Sequence, residues 1–341
     1  SVWHVPAGAF ALVLANATAA SSQGAFAMHV PDGFLSGPVA GATWFLAGGS
    51  IATALRVERA EPVTVPAGML GSLAAFVFAA QMVNIPVAPG TSGHLVGATL
   101  VAMLVGPWRA LIVMAAVLAI QAVFFQDGGL TAYGANLLDM GVAGTFVGFA
   151  LASFVARAVS GLRGYAVGAV LGAFAATLAG AVLTALWLAL SGLYPLRGIL
   201  PLMLVTHSAI GCLEAALTGA ILVTVLRWRP DLVAGPGGAA DSHRPAAMAL
   251  GLFGLAVVVA AFVAPFASHL PDGLERTALD LGFSDRARPL LPAFLENNSL
   301  FSGSLARLSP LLAALVGTCL VALVAWAAAR SLARSNDAEH S

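Results

Sequence analysis

Lysine is absent from this chain of 341 residues: all 15 basic residues are arginine. That excludes a Walker A phosphate loop, which needs its lysine, and Schiff-base chemistry, so any ATPase must be a separate chain. Charge is scarce as well. Charged residues make up 9% of the sequence, against about 25% in an ordinary soluble domain, and net charge is zero, which leaves no basic face for nucleic acid. The two cysteines, Cys212 and Cys319, stand in apolar runs. They form neither a disulfide framework nor a zinc motif and read as small buried hydrophobes.

What the chain has is apolar length. Hydrophobic residues account for 60% of it and mean hydropathy is +0.93, so it reads as an integral membrane protein. About 20 apolar residues cross a hydrocarbon core as a helix. On that measure spans are predicted at 38–56, 65–84, 93–106, 108–126, 135–157, 165–193, 201–226, 246–267 and 309–329. The third is short. The segment before it, Asn84 to His94, is rich in Pro and Gly, which predicts irregular backbone at depth, tolerated where protein buries it or it lines a cavity.

Two punctuation marks divide the chain. Residues 5–20 are apolar and are followed by Ala25-Phe26-Ala27, the pattern of a cleavable signal peptide, although a basic leading segment is missing and an extra transmembrane helix is the alternative. Residues 230–245, rich in Gly, Pro and Ala, read as a cytoplasmic linker before a second module of two spans flanking an outer loop at 268–308. Arginine placement orients the whole. With the mature N-terminus outside, ten arginines fall inside and five outside, and the segment after Ala27 lies on the same outer side as His94.

Cleavage after Ala27 would make Met28 the N-terminus, with His29 next. A free α-amine, with a pKa near 8, is a nitrogen ligand. The amide nitrogen of the second residue lies one chelate ring away, and the imidazole of a histidine there closes a second ring. Three nitrogens in a plane suit nickel(II), copper(II) and cobalt(II). His94 is available on the outer side as a fourth ligand; alone, either histidine would read as a hydrogen-bonded loop residue. Further along, His207 and Glu214 stand seven residues apart on one helical face. A glutamate within a span is costly, so the pair either lines a metal path or ties helices together. Gln126, Asp127 and Asn136 either orient the histidines from behind or serve as turn and cap residues. No nucleophile–base pair stands out. A metal-dependent hydrolase using Asp32 or Asp127 would need an open ligand position beside a carboxylate, which a square nitrogen site does not offer. A stand-alone transporter or channel would need a line of intramembrane charges, for which Glu214 is too little.

Met28-His29-Val30-Pro31-Asp32-Gly33-Phe34-Leu35-Ser36 resembles the start of the CbiM/NikM family, the substrate-specific membrane components of energy-coupling factor cobalt and nickel importers. Asn84 to Gly97, with its Pro-Gly-Thr-Ser-Gly-His core, resembles that family's second motif, and Gln121 to Met140 its third. The resemblance covers about 28–228. Pro271-Asp272-Gly273-Leu274-Glu275 is similar to the five-residue signature of the CbiN/NikN partner, so the whole resembles an M–N fusion. The resemblance implies an all-α integral membrane protein with about seven helices in its core, plus two C-terminal transmembrane helices flanking an extracytoplasmic loop. It implies Co²⁺ or Ni²⁺ as transported substrate, held by Met28, His29 and His94, with no ATP bound by this chain. Asn84, Ser92, Gln126, Asp127, Asn136, His207 and Glu214 stand as supporting or path residues. The implied partners are a transmembrane coupling subunit (CbiQ/NikQ-like) and a cytoplasmic ATPase (CbiO/NikO-like). The implied location is the bacterial or archaeal cell membrane, in contact with lipid.

Overall fold

The computed structural model describes residues 29–60, 65–159, 161–228, 245–290 and 309–339. The expected leader at 1–27, Met28 and nearly all of the expected linker at 230–245 lie outside the described residues. Among the described residues the fold is all-α apart from one small hairpin. After an ordered lead-in from His29 come α1 (Gly37–Ala60), α2 (Ala67–Gln81), the strands β1 (Ile85–Ala88) and β2 (Thr91–Gly93), and the short α3 (Ala98–Val105). α4 (Pro107–Ile120) runs on through a π-helical turn, Gln121–Phe125. α5 (Tyr133–Asn136), a π-helix at Leu137–Val147 and α6 (Gly148–Ala158) form one continuous rod, followed by α7 (Gly161–Leu190) and α8 (Leu196–Trp228). The C-terminal part has α9 (Pro245–Val258), a short α10 (Gly273–Leu281) and α11 (Ser309–Glu339).

Among the described residues, seven helices are long and apolar enough to cross a membrane: Gly37–Ala60, Pro107–Phe125, Tyr133–Ala158, Gly161–Leu190, Leu196–Arg227, Ala246–Phe266 and Leu311–Leu332. This corrects the expectation of nine, a seven-helix core with two more behind it. The expected spans at 65–84 and 93–106 are the ones that fail, and the reason is length and surroundings. α2 has 15 residues, about 22 Å at 1.5 Å per residue, short of the ~30 Å hydrocarbon core. α3 has 8 residues, about 12 Å. Both are apolar because protein encloses them, not lipid. Every residue of α3 is buried, as is every residue of α2 from Met69 to Ala79, the pattern of a helix hydrophobic all round.

The C-terminal helices provide much of that enclosure. A Cβ added at Gly71 on α2 would come within 2.7 Å of the Ala322 carbonyl on α11, and Gly317 on α11 closes against the Phe78 ring. The Ser72 hydroxyl on α2 donates 2.8 Å hydrogen bonds to the carbonyls of Gly68 and of Ala249 on α9. α7 uses the same device against its neighbours. Gly168 and Gly172, four residues apart on one face, lie against the Ala152 and Gly148 carbonyls of α6, the close backbone approach that small residues permit between membrane helices. Cys212 and Cys319 are exposed on their helices, which corrects the reading of buried hydrophobes: both project from the outer faces of the bundle.

The segment Asn84 to His94 is ordered backbone rather than an irregular stretch. β1 and β2 pair antiparallel, Ile85 with Gly93 and Pro86 with Ser92, through a turn in which Gly90 takes φ +72°. The hairpin delivers His94 to the top of α3.

Candidate metal centre

Three chain segments meet at His29. The first is its own extended segment, 29–32, clamped by Asn136: the Asn136 Oδ1 accepts from the Val30 N–H at 2.7 Å and its Nδ2 donates to the Val30 carbonyl at 3.1 Å. The second is the loop 126–131. Gly129 N–H donates to the Val30 carbonyl at 2.9 Å, and Asp32 Oδ1 accepts from the Thr131 amide (2.7 Å) and hydroxyl (2.5 Å). Gly128, at φ +93°, leaves no room for a Cβ, which would fall 2.9 Å from both His29 Cβ and Asn136 Nδ2. The third is the C-terminal module, whose Arg288 N–H donates to the Asp32 carbonyl at 2.8 Å.

His29 and His94 lie face to face, with ring centroids 6.3 Å apart and planes 21° from parallel. Both are buried, at 1% and 0% exposure. His29 Nδ1 is 2.5 Å from Asp127 Oδ1, and His94 Nδ1 is 3.1 Å from the Leu95 carbonyl. In each pair the oxygen is the acceptor, so Nδ1 carries the proton and the lone pair is on Nε2. Both Nε2 atoms are buried without a hydrogen-bond partner. Burial, then the neighbouring His29, push His94 down to about 4, so its imidazole is neutral near pH 7, the form that ligates a metal. Burial would raise the Asp127 carboxyl, but the adjacent His29 and its hydrogen bond outweigh that and hold Asp127 below its ordinary value. A carboxylate behind a histidine is the usual support for a metal-ligating imidazole.

The backbone after His94 is fixed from inside the bundle. Glu214 Oε2 accepts from the Val96 N–H at 2.6 Å and Oε1 from the Gly97 N–H at 3.0 Å. Gln81 Nε2 donates to the Val96 carbonyl at 2.8 Å, and Gln121 Nε2 donates to Gln81 Oε1 at 2.8 Å. Ser92 faces the C-terminal module: its amide donates to the Pro271 carbonyl at 2.9 Å and its hydroxyl to the Leu270 carbonyl at 2.6 Å. Those carbonyls lead into α10, where Asp272 Oδ1 caps the helix by accepting from Leu274 and Glu275 N–H at 2.7 and 2.8 Å. α10 lies over the site, with Glu275, Leu274 and Ala278 lining a small cavity beside His29. Burial, the Glu275 charge and the Asp127 charge raise the Asp272 carboxyl, and burial pushes Glu275 up to about 7.

The residues singled out from sequence thus divide. His29, His94, Asp127 and Asn136 converge. Glu214 reaches the His94 loop through its backbone, and Ser92 reaches the C-terminal module. Gln126 takes a left-handed φ of 51° at the turn that presents Asp127. Asn84 sits at the base of the hairpin, its carbonyl accepting from the Ser268 N–H at 2.8 Å and its Oδ1 buried without a partner. His207 lies apart from the histidine pair, below Gly273, with its Nδ1 donating to the Met203 carbonyl at 2.8 Å. Sequence reasoning passed over Asp139, buried at 4% exposure and bonded to Thr184 Oγ1 and Trp187 Nε1 at 2.8 Å each. The rule that flagged Glu214, an acid within a predicted span, applied equally to it.

Among the described residues no three His, Cys, Asp or Glu side chains form a metal-holding group. His29 and His94 are the two imidazoles brought together. The profile for the CbiM cobalt uptake substrate-specific transmembrane region matches residues 29–232. This chain belongs to the CbiM family. The PDGLE domain profile matches residues 246–334, so the CbiM region is fused to a PDGLE domain, as the two sets of motifs predict. Over 308 residues the chain is 32% identical to a proposed fused nickel transport protein, NikMN, of Archaeoglobus fulgidus, covering 89% of this chain and 98% of that one. It is 33% identical over 277 residues to the cobalt transport protein CbiM of Geobacter sulfurreducens, covering 75% and 78%. A crystal structure of a transition metal transporter superposes with a TM-score of 0.50 at 31% identity, covering 59% of this chain and 93% of that one. As a CbiM-family chain it is the membrane substrate-binding component of an energy-coupling factor import system for Co²⁺ or Ni²⁺, a transporter subunit rather than an enzyme.

Proposed function

We propose that this chain catches Co²⁺ or Ni²⁺ from the outer side of the membrane at a nitrogen site made by the Met28 amine, the His29 amide and imidazole, and His94. The observation that carries the reading is the pair of stacked, buried imidazoles whose Nε2 atoms have no partner. An unpaired buried acceptor costs about 1–3 kcal/mol, and a site for a cation returns that cost on binding. The chelate through the His29 amide closes only on Nδ1, which here faces Asp127. Binding through that ring therefore turns the His29 imidazole about Cβ–Cγ, so that Nδ1 meets the ion and Nε2–H takes over the bond to Asp127.

Residues 1–27 act as a cleaved leader that frees the Met28 amine, 28–229 as the metal-binding domain, 230–245 as a cytoplasmic linker and 246–341 as the PDGLE module. The N-terminus of the mature chain is outside and the C-terminus inside. The arginine distribution supports this sidedness, and removing α2 and α3 from the crossings takes away two together, leaving the parity unchanged. The Glu58–Arg109 ion pair, 2.7 Å, joins the end of α1 to the start of α4 on what this topology makes the inner side. A transmembrane coupling subunit and a cytoplasmic ATPase supply the energy, because a chain without lysine has no phosphate loop of that type. The test is uptake into proteoliposomes. Accumulation of Ni²⁺ or Co²⁺ should require both partner subunits and ATP, and should vanish with His29→Ala or His94→Ala. Uptake by this chain alone, without ATP, would replace the reading with a stand-alone transporter.

A further inference from the structure

The bundle also holds a cavity bordered by Val96, Asn136 and Glu214, groups that support the histidine pair, and reaching beyond them. Its room for the centres of water molecules is about 40 Å³, where one water needs roughly 10–15 Å³, so it admits about three. Among its lining residues are Thr99, Asn136, Asp139, Thr177, Thr184 and His207. Asn136 belongs to both places, since its amide clamps Val30 and its side also forms the cavity wall. From Thr184 to Ala173, both lining residues on α7, the cavity follows eleven residues, roughly 16 Å of helix rise and about half of a ~30 Å hydrocarbon core.

Its polar groups are held ready rather than consumed. His207 Nδ1 donates to the Met203 carbonyl, so its lone pair is on Nε2. Asp139 is steadied by Thr184 and Trp187, one bond to each carboxylate oxygen, and each oxygen keeps a further lone pair. Asp139 and Met140 project from the π-helix Leu137–Val147, a geometry that is rare and concentrated at functional sites.

We infer that this cavity is an inward transit chamber, in which a partly hydrated divalent transition-metal ion leaving the histidine pair is held by Asp139 and His207 before release to the inner side. The inference rests on the capture reading above. Its nitrogen, carboxylate and hydroxyl donors suit such an ion, and their number is low enough for the ion to leave. Capture and transit then depend on different residues.

The experiment uses the full chain with its coupling and ATPase subunits in proteoliposomes. Ni²⁺ bound without ATP and Ni²⁺ accumulated with ATP are measured on the same preparation. Asp139→Asn keeps the hydrogen-bonding shape and removes the charge. His207→Asn keeps a donor at the Nδ1 position and removes Nε2; His207→Gln restores a donor atom there. Ala176→Leu fills the cavity without touching either polar group. Bound ion should stay within about threefold of the unsubstituted chain while uptake falls about tenfold or more for the Asn and Leu variants, with partial recovery in His207→Gln. A metal-induced rise in Tm verifies that each variant is folded. Unchanged uptake in all of them, or binding and uptake falling by the same factor, would overturn the chamber. Absence of binding to the unsubstituted chain would overturn the capture reading itself, and the chamber with it.

Discussion

His29 and His94 each leave a ring nitrogen buried and unpartnered, whereas Glu214, as deeply buried, has a backbone hydrogen bond on each carboxylate oxygen. The two regions stand within one bundle and share Asn136. Their difference separates two uses of buried polarity. A carboxylate whose oxygens are all occupied fixes backbone and helices. An imidazole pinned at Nδ1 and bare at Nε2, as that of His94 is, keeps a lone pair for a ligand from outside. Removing a bare ligand should abolish binding without loosening the fold. Removing a paired carboxylate should loosen the fold near it, with binding affected second-hand.

The largest effect expected is therefore from His29→Ala or His94→Ala, with Ni²⁺ and Co²⁺ affinity falling by roughly 100-fold or more while the apo chain keeps its Tm to within the small change of a lost loop side chain. Isothermal titration and thermal melting of the same samples separate the two. Asp127→Asn should lower affinity about 10- to 100-fold, the range found for groups that orient a metal-bound imidazole; affinity unchanged in that variant would reduce Asp127 to a turn residue. Glu214→Ala leaves the Val96 and Gly97 amides buried and unpaired, at about 1–3 kcal/mol each, so the apo Tm should fall clearly, and Glu214→Gln, which keeps one good acceptor, should fall less. The opposite ranking would dissolve the contrast between the paired and unpaired regions.

A smaller, pH-dependent effect belongs to α10. Glu275 and Asp272 are both raised above their ordinary values in the folded chain. An acid with a raised folded pKa favours folding most below its unfolded pKa, and that contribution is lost as pH rises through the folded one. For Glu275 the window runs from 4.5 to about 7. The chain should melt higher at pH 5.5 than at pH 7.5, and Glu275→Gln should flatten that slope. Smallest of all, Ser92→Ala removes one hydrogen bond to Leu270, about 0.5–1.5 kcal/mol, and should ease proteolysis in 268–290 while leaving the CbiM region intact.

The reach of the sequence follows the same physical lines. The groups that the structure brings together were legible because the motifs are local: His29, the Thr-Ser-Gly-His turn and Pro-Asp-Gly-Leu-Glu each put a histidine or a cap beside the backbone that holds it. The histidine pairing needed only that two loops share one side of the membrane. The number of crossings was not legible, because hydropathy reports removal from water and not what replaces it. α2 and α3 are enclosed by α4, α9, α11 and the π-helix, and read as apolar as the lipid-facing spans. The hairpin at Ile85–Gly93 escaped because its strands are three and four residues long and broken by Pro86 and the turn. Asp139 escaped for lack of a motif around it, although an acid in an apolar span is itself a signal.

The most direct test of the nitrogen site compares two forms of one chain: one beginning at a free Met28 amine, one with that amine acetylated. Ni²⁺ or Co²⁺ affinity is measured on both, and each is repeated with His94→Ala. The account predicts one ion per free-amine chain and a loss of roughly 100-fold or more on acetylation, with His94→Ala adding little once the amine is blocked. Equal affinity in the free and acetylated forms would contradict it and leave a site of side chains alone.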